Sequence, residues 1–234
     1  MSALGGLIAD GRAGGRLWLY ANYHCNLACT YCLTGSSPTA PRRVLDPARM
    51  LRLADEAVAL GFTGIGISGG EPLLNPWLPR VVVELSERLP VILLTNGTLF
   101  TPRRLREVAA FAGRPIEVQI SLDSADPIEN DAMRGPANFA RVVEAVPLLV
   151  ALGITVRIAT TIDRDAPNDL PRLCALHRAL GVDDAHHIVR PVITRGRAAA
   201  GGLGVPAGGV ELWPELTVTA DGAFWSPFGA TSRD

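Results

Sequence analysis

Lysine is absent from this chain: all 22 basic residues are arginine. Chemistry built on a lysine Schiff base, pyridoxal phosphate catalysis included, therefore has no nucleophile here. The arginine bias accompanies abundant alanine and glycine, as a GC-rich coding sequence produces, and does not by itself mark a phosphate site. A charge excess is missing too: 22 basic against 23 acidic groups leave a formal charge of -1, which argues against a nucleic-acid binder. No apolar run approaches the ~20 residues of a membrane span. The longest uncharged apolar stretch, 145–156, is interrupted by Pro147 and Gly153. Residues 1–15 lack the basic region and apolar run of a secretory signal, so the expectation is a cytoplasmic protein with a loose, Gly-rich leader. What is present suffices for a core: 234 residues, 48% of them hydrophobic, can bury roughly 70% of the unfolded surface in one large domain.

From residue 16 the pattern alternates. Short apolar runs at 16–23, 64–68, 91–94, 116–121, 155–161 and 186–190 read as strands, and amphipathic stretches at 46–60, 75–88, 101–112, 138–152 and 168–180 read as helices. Asp46 and Pro47 supply a cap and a first helical position. Repeated strand–helix units predict an α/β fold with a parallel sheet, and six units predict a partial (β/α)6 TIM-like barrel over 16–195. Residues 196–209 read as a Gly-rich linker or mobile flap. Beyond it, 215–218 and 223–225 around Ala220-Asp221-Gly222 predict a small C-terminal β-hairpin within a segment 196–234.

Only four cysteines occur, and three of them crowd into eight residues: Cys25, Cys29 and Cys32, in a C-x3-C-x2-C spacing on the loop after the first strand. That spacing is foreign to a disulfide framework and suited to metal ligation. Three thiolates can hold three irons of a cubane and leave the fourth open to a ligand. A Cys3His zinc site using His24 is the competing arrangement, although structural zinc sites take their ligands in separated pairs. Cys174, within the 168–180 helix, reads as a small buried hydrophobe.

The C-x3-C-x2-C loop, with the aromatic Tyr31 before its last cysteine, resembles the radical S-adenosylmethionine (radical SAM) superfamily. Gly69-Gly70-Glu71-Pro72 after the second strand matches that family's glycine-rich segment. The resemblance implies a 4Fe-4S cluster on Cys25, Cys29 and Cys32 and a cofactor site that draws on Tyr31, Gly69, Gly70, Glu71, Pro72, Thr95, Asn96, Ser121, Asp123 and Arg134. In it Glu71 would accept from the methionyl ammonium, and Arg134 would meet the methionyl carboxylate. It further implies reductive cleavage of S-adenosylmethionine to a 5′-deoxyadenosyl radical that abstracts a substrate hydrogen, with reduced flavodoxin or ferredoxin as electron donor.

Gln119–Asp123, Arg134-Gly135, and the stretches 153–162 and 190–198 are similar to peptide-modifying SPASM or Twitch-type members and to the molybdenum-cofactor member that acts on GTP. A ribosomally made peptide or protein is the expected substrate, and a nucleotide or other small molecule the alternative. A non-catalytic metal-binding or electron-transfer protein stands as the reading of another class. The hairpin resembles the opening of a SPASM region, but Ala223-Phe224-Trp225-Ser226-Pro227 replaces the expected cysteine, so the 234 residues hold no ligands for an auxiliary cluster. His186 or His187, with Arg190, Arg195 and Arg197, are candidates for substrate contact, and Thr160 and Thr161 lie at the fifth strand's end.

Overall fold

The computed structural model describes residues 2–163, 169–209 and 213–231. In chain order its elements are α1 (Ala3–Ala9), β1 (Arg16–Asn22), α2 (Pro47–Leu60), β2 (Gly64–Gly69), α3 (Leu78–Ser86), β3 (Val91–Thr95), α4 (Pro102–Val108), β4 (Ile116–Ser121), α5 (Pro127–Arg134), α6 (Asn138–Ala151), β5 (Thr155–Ile162), α7 (Leu170–Ala179), β6 (His187–Pro191), α8 (Gly196–Gly201), β7 (Glu215–Val218) and β8 (Ala223–Ser226). The strands form one sheet in the order β6-β5-β4-β3-β2-β1-β7-β8, parallel throughout except for β8. This is the expected partial TIM-like barrel.

Alternation along the strands sorts the two faces. Leu17, Leu19, Ile65, Ile67, Leu93, Val118, Ile120 and Ile158 turn outward into a core shared with Met50, Ala54, Leu78, Val82, Leu85, Val142 and Val146 of the helices. The opposite face carries polar and aromatic side chains, among them Trp18, Tyr20, Gln119 and Arg157. Helix starts follow local chemistry: Asp46 accepts from the Arg49 amide ahead of α2, Thr101 from Arg104 ahead of α4, and Asp126 from Ile128 and Glu129 ahead of α5. In each case proline holds the first helical position.

Four features depart from the sequence reading. The leader is not loose along its length: Ser2 caps α1, and Leu4 and Ile8 pack against the core. Helix α5 was absent from the expectation, because its PIENDAMR sequence has few apolar residues and is held by its cap. The Gly-rich stretch contains α8, and a bridge between Ile193 and Val205 closes the loop around it. The hairpin does not stand apart from the barrel, since β7 runs parallel to β1 with Leu17 opposite Leu216 and Leu19 opposite Val218. Residues 227–231 then return against β1, where Ala230 packs on Tyr20 and Tyr23. The expected helix start at Asn168 lies outside the described residues.

Candidate active site

The cysteine loop leaves the C-terminal end of β1 and is fastened on three sides. Toward β2, Asn22 and His24 form a short ladder with the Gly-Gly-Glu-Pro turn: Gly70 N–H donates to Asn22 O (2.9 Å), Glu71 N–H to His24 O (2.9 Å), and the Asn22 amide to Glu71 O (2.9 Å). This contact explains the two glycines. A Cβ on Gly69 would stand 2.2 Å from Asn22 O, and one on Gly70 2.2 Å from His24 O. The close approach that these two glycines permit is to the chain's own backbone.

Glu71 is fully buried and organises the second side. Its Oε1 accepts from Leu73 N–H (3.0 Å) and the Thr95 hydroxyl (2.8 Å), and its Oε2 from Asn96 N–H (2.8 Å). Three of about four lone-pair positions on the carboxylate are occupied, leaving one for a ligand donor. Burial raises its pKa, and the three donors oppose that shift. The Asn96 amide reaches Asn26 Oδ1 (2.9 Å) and lies 3.7 Å from Cys25 Sγ, and Asn138 donates to Asn96 O (3.0 Å). Thr95 and Asn96 therefore hold the loop and the carboxylate in place.

The third side is a buried ion pair. Arg134 Nη1 meets Asp123 Oδ2 at 2.9 Å, with side-chain exposures of 6% and 0%, and the Tyr31 hydroxyl bonds both groups. Asp123 Oδ1 accepts from Thr161 N–H (2.8 Å), and Asp123 N–H donates to Asn130 Oδ1 (3.0 Å). Asp123 is thereby committed within the protein. Arg134 keeps one buried donor, Nε, without a partner. Its carbonyl lies 3.5 Å from Cys29 Sγ, so the pair touches the cysteine loop directly. Ser121 sits on the barrel face one residue from this network, and its side chain makes no hydrogen bond among the described residues.

Burial pushes the Cys25 thiol up to about 12, with Glu71 adding to the effect, and burial likewise raises Cys29 against the pull of Arg134. Thiols so placed ionise when a metal replaces the proton. Among the described residues no three His, Cys, Asp or Glu side chains are grouped so that they could hold a single metal ion.

Arg197, expected to contact substrate, instead clasps the cysteine loop. From α8 its guanidinium donates to the carbonyls of Cys29 (2.6 Å), Ser36 (2.7 Å) and Gly35 (3.3 Å), and its amide to Cys32 O (2.9 Å). Arg195 donates to Ser226 Oγ and Gly229 O. Neither is free for the substrate contact expected of it. His187 turns outward to α7, where its ring meets His177 edge-on and lies 3.7 Å from Cys174, and His186 falls in a 3-10 turn before β6. Thr160 donates to Leu122 O beneath the Asp123 turn.

Residues 20–173 match the radical SAM superfamily. Mycofactocin maturase from Mycolicibacterium smegmatis is 32% identical over 201 residues, covering 85% of this chain and 47% of that protein. PqqA peptide cyclase from Ruegeria pomeroyi is 32% identical over 161 residues, 68% of this chain and 42% of that one. The chain thus spans a little under half the length of these relatives. The crystal structure of Streptococcus suis SuiB bound to S-adenosylmethionine superposes with a TM-score of 0.67 at 18% identity, over 80% of this chain and 43% of that chain, a likeness of fold. Family membership sets aside the non-catalytic reading, and the chain belongs to the radical SAM superfamily of enzymes.

Proposed function

We propose that this enzyme binds a 4Fe-4S cluster through Cys25, Cys29 and Cys32 and cleaves S-adenosylmethionine reductively to modify a ribosomally made peptide or protein. When bound, cluster and cofactor together supply a 5′-deoxyadenosyl radical that abstracts a substrate hydrogen, after one electron from reduced flavodoxin or ferredoxin. The chain's own residues bind and orient. Glu71, pinned by Leu73, Thr95 and Asn96, offers its remaining lone pair to the methionyl ammonium. Arg134, whose buried Nε has no partner, would meet the methionyl carboxylate, and Ser121, at the C-terminal end of β4, would contact the cofactor beside it. Tyr31 and Asp123 act through Arg134 by fixing its guanidinium. Gly69, Gly70 and Pro72 shape the turn that carries Glu71.

The observation that carries this reading is the convergence of the Glu71 and Arg134 networks on the two sides of one three-cysteine loop. The peptide assignment draws on the likeness to PqqA peptide cyclase. No helix among the described residues is long and apolar enough to cross a membrane. Anaerobic reconstitution with iron and sulfide, followed by dithionite and S-adenosylmethionine, should yield 5′-deoxyadenosine. Cys25→Ala, Cys29→Ala or Cys32→Ala should each abolish it, and Cys174→Ala should not. Product from any of the first three would refute the assignment.

A further inference from the structure

A cavity of about 450 Å³ opens at the N-terminal end of the sheet, bordered by Arg16, Gly64, Arg114, Glu117, Arg157 and Glu215. Arg16 and Asn22 bound the seven residues of β1, so the cavity lies about 20 Å from the cysteine loop at ~3.3 Å per residue. Strand β2 gives it room: Gly64 stands opposite Arg16 in register, and Gly66 lies beneath the Trp18 ring, where a Cβ would be 2.3 Å away.

The charges around this mouth are unequal. Arg114 is paired with Glu87 (3.6 Å), which leaves Arg16 and Arg157 of the cavity border and Arg190 of β6, within electrostatic reach of both, against the carboxylates Glu117 and Glu215. Both carboxylates are already engaged, Glu117 by Arg157 Nη1 (2.8 Å) and Glu215 by Trp18 Nε1 (2.5 Å). Arg16 stacks on Trp18, with its Cζ 5.6 Å from the ring centroid, but it has no hydrogen bond or ion pair among the described residues, and neither has Arg190. Arg157 Nε is buried without an acceptor. Desolvation, with the neighbouring Arg157 and Arg16, holds the Arg190 pKa below the ordinary arginine range against the pull of Glu215. Three guanidiniums against two carboxylates that are already engaged, with a buried donor beside them, form an incomplete anion site among the described residues.

We infer that this lower mouth binds a carboxylate-bearing stretch of the peptide substrate through Arg16, Arg157 and Arg190. The inference rests on the peptide reading proposed above and adds a substrate class to it: a peptide with acidic residues. A pair of unengaged guanidiniums matches one or two carboxylates, whereas a nucleoside triphosphate brings more negative charge than they can meet. At about 20 Å from the cysteine loop the subsite serves recognition and is too remote for the reacting atoms.

The test titrates an N-acetylated, C-amidated tetraglutamate peptide, its tetraglutamine counterpart and GTP, separately, into the cluster-reconstituted chain by calorimetry at low and at 0.5 M salt. The tetraglutamate peptide should bind, more weakly at high salt, and the tetraglutamine peptide should not. Arg16→Gln and Arg190→Gln should each weaken binding about tenfold, Arg16→Lys should retain most of it, and Arg80→Gln, on exposed α3, should leave it unchanged. Equal binding of the glutamate and glutamine peptides, undiminished binding to the Arg16→Gln/Arg190→Gln double variant, or preference for GTP would overturn the inference. Cleavage of S-adenosylmethionine by the unsubstituted chain without peptide, run in parallel, reports on the proposed function separately.

Discussion

Removing Asp123 should cost this protein far more than removing a surface carboxylate. The Asp123–Arg134 pair is nearly solvent-free, at 0% and 6% side-chain exposure, and Asp123 also satisfies the Thr161 amide. Asp123→Ala leaves a buried guanidinium with the Tyr31 hydroxyl as its remaining side-chain partner and takes the acceptor from a backbone donor. Breaking a buried pair from one side costs about 3 to 5 kcal/mol. The exposed Arg80–Glu84 pair, 3.4 Å long with Arg80 81% exposed, supplies the contrast, and Glu84→Ala should cost at most about 1 kcal/mol. Urea denaturation of the apo chain, followed by far-UV circular dichroism, measures both. The double variant Asp123→Leu/Arg134→Met, which removes both charges, should lose less than the two single variants summed, by about 2 kcal/mol or more. A cost below about 1 kcal/mol for Asp123→Ala, or strict additivity in the double variant, would refute the view that this pair fastens the cysteine loop to β4 and α5.

Three further outcomes follow from particular contacts. His177 is fully enclosed, neither ring nitrogen has a partner, and burial followed by the neighbouring His187 lowers its pKa to about 4. The proton therefore binds the unfolded chain more readily, so stability complete above about pH 6.5 should fall by up to about 3 kcal/mol as pH drops toward 4. His177→Phe should flatten that slope in denaturation curves taken across this range, and equal slopes would refute it. Arg197→Ala removes charged hydrogen bonds to Cys29, Gly35 and Ser36 and should cost about 1.5 to 3 kcal/mol of stability, together with iron lost on desalting. Full iron retention would show that the clasp is dispensable. Gly70→Ala, whose Cβ would meet His24 O at 2.2 Å, should destabilise by about 1 to 3 kcal/mol or more, read as a fall in the urea midpoint; an unchanged midpoint would mean that the ladder can yield.

The strand–helix rhythm was legible because each unit signals locally: short apolar runs such as 64–68 and capped starts such as Asp46-Pro47 need no knowledge of the rest of the chain. The three cysteines and the Gly-Gly-Glu-Pro turn were legible for the same reason. Contacts between distant stretches were not. The union of β7 with β1 joins residues about 200 positions apart, and no periodicity announces it. Arg197 was read as a candidate for substrate contact, and only the folded chain brings its guanidinium to the Cys29 carbonyl. Asp123 and Arg134 were read as separate cofactor contacts, and their pairing depends on the turn of α5, whose only sequence signal was Asp126-Pro127.

The central claim is that three cysteines on one loop hold a single cubane that is open to S-adenosylmethionine. Iron and sulfide analysis of the anaerobically reconstituted chain, combined with EPR of the dithionite-reduced protein before and after addition of S-adenosylmethionine, tests it most directly. The account predicts about four irons and about four sulfides per chain and an EPR signal that changes on adding the cofactor. A content near eight irons in washed protein, or a signal indifferent to S-adenosylmethionine, would contradict it.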